Sequence, residues 1–86
     1  MNENYVEAEV CRRAIETLHK LAADIGPIRT SLMSVLGAIG DVWQGAAADA
    51  FLETSEWTVK DMDKMRTEIE NLAKEIAATL LLIEGK

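Results

Sequence analysis

Few side chains in this sequence can do acid–base or covalent chemistry. Its 86 residues include one histidine, His19, and one cysteine, Cys11. A lone histidine cannot assemble a metal site of ordinary ligand count, and a lone cysteine cannot close an intrachain disulfide. The chain has no serine–histidine–aspartate set, no glycine-rich phosphate loop and no nucleophile with an orienting partner. The carboxylates are numerous, but pairs such as Asp61 and Asp63 stand two residues apart and would diverge on a helix. No catalytic residue, metal or cofactor is expected. A carrier protein would need a serine presented at a helix start for a phosphopantetheine arm. Ser31-Leu32 follows Thr30 inside a periodic apolar stretch instead. What remains is chemistry of association, carried by apolar and charged surfaces.

Charge narrows the partners. Nine Lys+Arg against fifteen Asp+Glu give a net charge of −6, which disfavours binding to nucleic acid through phosphate neutralisation. The opening MNENYVEAEV is polar and acidic rather than a basic start with an apolar core, so no general secretory signal peptide is expected. The run from Ala77 to Ile83 falls far short of the roughly 20 apolar residues that span a bilayer. Membrane insertion is therefore not expected.

These surfaces must be positioned by helices. One proline, five glycines and 49% apolar residues suit long helices, and no alternating β-branched run supports a strand. Leu18, Leu21, Ile25, Ile28, Leu32, Val35 and Ile39 recur at steps of three and four, in phase with Ala14 and Cys11. The spacing predicts a first helix over about 4–39, opened by an Asn4/Glu7 capping box, with Asn2 as a second cap, and closed within Gly37–Gly40. Pro27 sits inside it, and the unbroken phase across it favours a kink over a loop. A second seam runs through Ala48, Phe51, Ser55, Thr58, Met62, Met65, Ile69, Leu72, Ile76, Thr79 and Ile83, predicting a helix over about 46–83. Glu56/Lys60 and Glu70/Lys74 are expected as exposed ion pairs beside it. The expected fold is all-α: a single antiparallel helical hairpin with its turn at about 40–45. Further apolar residues beside both seams exceed what one hairpin buries, so two hairpins are expected to pair as a four-helix bundle.

The turn carries the most specific signal. Asp41-Val42-Trp43-Gln44-Gly45 places a tryptophan and a glycine at the bend, followed by Ala46 to Ala48 and then Phe51. A large indole can plug the end of a helix pair, and Asp41 and Gln44 are candidate caps for the second helix. This segment, central between two seam-bearing arms in a chain of this length, resembles the Trp-x-Gly (WXG) family of Esx-type early secreted antigens, substrates of type VII secretion.

The resemblance implies a dimer of helical hairpins, made in the cytoplasm and exported without a cleaved signal peptide by a membrane-embedded, ATPase-driven machine. It also implies that Trp43 and Gly45 form part of a composite export signal. The family completes this signal with a Tyr-x-x-x-Asp/Glu element near the end of the second helix, and no tyrosine lies there in this sequence. Tyr5/Glu9 and Trp57/Asp61 repeat the aromatic–acid spacing elsewhere. Of these, Tyr5 and Glu9 would share a helix face at the matching pole of the hairpin. Expected partners are a second copy, another WXG-type protein or the helical part of an effector, together with the secretion ATPase. The rival expectation is an intracellular helical regulator or antitoxin in which Trp43 and Gly45 serve packing alone. The residues expected at a hairpin or dimer interface are Leu18, Leu21, Ile25, Ile28, Leu32, Val35, Phe51, Met62, Met65, Ile69, Leu72 and Ile76.

Overall fold

A computed structural model describes residues 3–85, with side-chain surroundings from residue 6 onward. Two helices make up the fold, α1 over Glu3–Val42 and α2 over Ala46–Glu84, and there is no strand among the described residues. They run antiparallel as a rod of 64 × 15 × 13 Å, the length that about 40 residues give at 1.5 Å each.

The seam between the helices has strict 3–4 spacing. From α1 it takes Ala8, Cys11, Ile15, Leu18, Ala22, Ile25, Arg29, Leu32, Leu36 and Ile39. From α2 it takes Ala48, Leu52, Ser55, Val59, Met62, Arg66, Ile69, Ala73, Ile76, Leu80 and Ile83. Nearly all of these are buried or half-buried. In heptad lettering, position a covers Ala8, Ala22 and Arg29 of α1 and Leu52, Val59 and Ala73 of α2, with d three residues later. Alanine at Ala8, Ala22, Ala48 and Ala73 removes bulk where the axes approach, and these residues are the most completely buried. Ser55 tolerates its seam position because its hydroxyl donates to the Phe51 carbonyl at 2.8 Å.

The seam corrects the sequence expectation by one stripe. Cys11, Leu18, Ile25, Leu32, Met62, Ile69 and Ile76 lie between the helices. Leu21, Ile28, Val35, Phe51, Met65 and Leu72 do not, and stand exposed outside it. Apolar residues occupy a, d and g, and both the a–d and the d–g stripes have 3–4 spacing. Periodicity alone cannot choose between them. Packing selects the stripe that carries the small residues.

Helix boundaries also differ. Glu3 and Asn4 are already helical, so an Asn4/Glu7 box does not mark the start; Asn2 lies outside the described residues. α1 continues through Gly37 and Gly40 to Val42, because the positive-φ glycine that breaks the chain is Gly45. Gly40 instead faces Leu52 across the seam. α1 passes through Pro27 without a break. Gly26 before it has no Cβ to clash with the proline ring, and Pro27 lies on the exposed side, where the carbonyl it leaves unpaired can meet water.

Candidate functional site

The turn between the helices is three residues long. Trp43 still donates its backbone N–H to the Ile39 carbonyl at 2.8 Å, and the Gly45 carbonyl accepts from Asp49 at 3.0 Å. Between these bonds the chain reverses at Gly45, with φ 112° and ψ 179°. That conformation is essentially closed to residues bearing a Cβ. Gly45 is also the N-cap of α2 and has no side-chain capping bond, so Asp41 and Gln44 do not cap. Asp49 in the first turn supplies the negative charge that favours a helix N-terminus.

The Trp43 indole is not a buried plug. It is 43% exposed and packs tilted against Phe51, with ring centroids 5.7 Å apart. A tilted pair at this centroid separation is favourable for aromatic rings, and the indole remains partly open to solvent.

The long sides of the rod are unlike one another. On one side run the e positions of both helices. There Arg29 clasps Asp63 with bonds of 2.7 and 3.3 Å, and Arg12 pairs with Glu84 across the open end. Arg66 turns toward Glu70 at 3.5 Å rather than leaving Glu70 to Lys74. An open groove of about 550 Å³ lies along this side, between Met33 and Leu36 of α1 and Leu52 and Glu56 of α2.

On the opposite side run the g positions. The register set by Arg29–Asp63 and by Leu52 beside Gly40 puts Val42 level with Phe51, Val35 with Thr58, Ile28 with Met65, and Leu21 with Leu72. Thr58 and Thr79 on this side return their hydroxyls to their own helix, donating to the Thr54 and Glu75 carbonyls, so they too present carbon. Ile28 is 57% exposed here, against 9% for Ile25 in the seam. The Trp43–Phe51 pair closes the stripe at the turn.

At the other pole, Glu9 is drawn to Arg13 at 3.1 Å and lies 3.8 Å from Arg12. The side chain of Tyr5 falls outside the described residues. Cys11 is half-buried in the seam, and His19 is exposed. Lys60 does not pair with Glu56 as expected; its ammonium sits 4.7 Å over the ring of exposed Trp57. No cluster of metal-ligating side chains occurs among the described residues, and no described helix is long and apolar enough to cross a membrane.

Two features were missed by seam reading, the g-side stripe as a distinct surface and the seam arginines Arg29 and Arg66. The arginines have a sequence signal, since 22-29-36 and 59-66-73 continue the a positions through an arginine; the stripe has none, because periodicity fits either phase.

Comparison with known proteins follows the turn motif. A family model described as proteins of 100 residues with WXG matches residues 5–80. The chain is 35% identical over 77 residues to the uncharacterized protein YfjA of Bacillus subtilis (strain 168), covering 86% of this chain and 74% of that protein. No solved structure matches it.

Proposed function

The chain belongs to the WXG100 family, and from that premise we propose that it is a non-enzymatic helical protein of type VII secretion. It acts as an exported substrate or as a co-secreted chaperone or adaptor, by pairing its hairpin with another to form a four-helix bundle. Its pairing partner is a second copy, another WXG-type chain or the helical part of an effector, and the secretion ATPase recognises the assembled bundle. Trp43 and Gly45 mark the turn as part of the export signal, with Tyr5 and Glu9 supplying the aromatic–acid element at the other pole. The protein is made in the cytoplasm and leaves the cell without a cleaved signal peptide.

The observation that carries the association reading is the surplus surface. A compact monomer of 9.5 kDa exposes roughly 5,050 Å², whereas this hairpin exposes 6,508 Å². The surplus of roughly 1,450 Å² exceeds the ~800 Å² that each partner contributes to a standard interface. Large apolar side chains contribute to it: Leu21, Ile28, Val35, Met65 and Leu72 are all exposed. Among the described residues no large side chain is completely buried. A second hairpin on the g side would convert an exposed stripe into a core.

Secretion in the native host tests the export role. Trp43→Ala is expected to abolish appearance of the protein in the medium while its cytoplasmic level and helicity persist. Secretion undiminished by Trp43→Ala would remove the turn from the export signal and leave it a packing element.

A further inference from the structure

The two sides of the rod differ in sign as well as in polarity, and that difference selects a partner. Beyond the g stripe on each helix lie the c positions, which border it. Among side chains described from residue 6 to 85, these two positions carry Glu7, Asp24, Asp61, Glu68 and Glu75 and no base. Every described lysine and arginine occupies a, b, e or f. The seam arginines Arg29 and Arg66 do not compensate, because they pair with Asp63 and Glu70 at the e positions of the opposite side. The charges described along the apolar stripe and its borders are therefore all negative, Asp24 on the α1 border and Asp61, Glu68 and Glu75 on the α2 border, among uncharged neighbours.

A closed two-fold pair of identical hairpins, packed by this side, allows two arrangements. With the axis along the rod, the border of α1 faces the border of α2, and Asp24 meets the acids of α2. With the axis across the rod, each border faces its own copy, and Asp61, Glu68 and Glu75 meet one another. Neither arrangement offers an opposite charge. Flanking charges choose partners in helical bundles by this kind of repulsion as much as by attraction.

We propose that the g side docks a helical partner of different sequence, one whose apolar stripe is bordered by lysine and arginine, and that its acids disfavour a second copy. This rests on the bundle reading above and names the chemistry of the partner for that same surface. The apolar stripe supplies the affinity; the acidic border supplies the discrimination.

Sedimentation velocity of the full chain tests it, using as probe the same chain carrying Asp24→Lys, Asp61→Lys, Glu68→Lys and Glu75→Lys. All four sites are exposed. Circular dichroism of the probe verifies its helicity, and an Asp61→Lys/Glu68→Lys version serves if the fourfold variant melts early.

At 50 mM salt, wild type and probe are each expected to pair with themselves at least about tenfold more weakly than with each other, judged from the repulsion of like charges on adjacent helices. Raising salt to 500 mM should weaken the mixed pair and strengthen wild-type self-pairing. A wild-type homodimer as tight as the mixed pair and indifferent to salt would overturn the inference while leaving the bundle reading intact. Failure of all three samples to associate would overturn both.

Discussion

At Gly45 the backbone holds φ 112° and ψ 179°, and no L side chain adopts that conformation without strain. Nothing lies within 4 Å of the position a Cβ would take, so the cost of substitution comes from the backbone rather than from a clash. Gly45→Ala is accordingly expected to lower stability by about 1–3 kcal/mol, read from chemical unfolding followed by circular dichroism. Trp43 differs, because its indole packs tilted against Phe51 and is still 43% exposed. Removing that pair by Trp43→Ala should cost about 0.5–1.5 kcal/mol beyond the area the half-covered indole buries. The two residues of the motif therefore have separable physical duties: Gly45 permits the reversal, and Trp43 presents an indole at the end of the apolar side. Loss of export in Trp43→Ala with stability nearly retained would match that division.

Along the elements, α1 tolerates a proline because of where the proline falls. Pro27 faces outward and follows Gly26, so the usual steric conflict is relieved, but one helical hydrogen bond is still absent. Pro27→Ala should restore that bond and gain up to about 3 kcal/mol, less about 0.4–1 kcal/mol from the freer unfolded chain. A rise in thermal midpoint is the expected readout. Between the elements, Arg29 and Asp63 fix the stagger of α1 against α2. The pair is well formed yet 39% and 51% exposed, so a double-mutant cycle with Arg29→Ala and Asp63→Ala should give a coupling near about 0.2–1 kcal/mol, shrinking with salt. Its value lies in register more than in stability. A slip of one residue on α2 would bring acidic and outer-face positions into the seam.

For the whole molecule, the division into two surfaces makes a sharp contrast between Ile25 and Ile28, which are three residues apart. Ile25→Ala removes a buried seam residue and should cost about 2–5 kcal/mol of hairpin stability. Ile28→Asp changes an exposed stripe residue, so the isolated hairpin should keep its helicity while losing association, as read by circular dichroism and sedimentation in parallel. Equal loss of helicity in both variants would mean that the hairpin is not stable without its partner. Such dependence is physically reasonable for a rod of 64 Å whose fully enclosed side chains are mostly alanine.

The helices, their antiparallel return and the place of the turn were legible in the sequence, because 3–4 apolar spacing, a central glycine and the scarcity of proline are local signals that need no knowledge of a partner. The Trp-x-Gly turn between two seam-bearing arms made the family legible as well. The phase of the packing was not legible. Leu18, Ile25 and Leu32 satisfy the a–d and the d–g stripes equally, and only the approach of the two backbones selected the stripe containing Ala22 and Ala73. That selection left Leu21, Ile28, Met65 and Leu72 on one side, put Arg29 into the seam beside Asp63, and gathered Asp24, Asp61, Glu68 and Glu75 around the exposed stripe. By itself the sequence determined that the chain folds as two amphipathic arms with surplus apolar surface. Tertiary structure decided which surface is surplus and what charge borders it, because both depend on how each helix is rotated about its axis, a quantity fixed by contacts far apart along the chain.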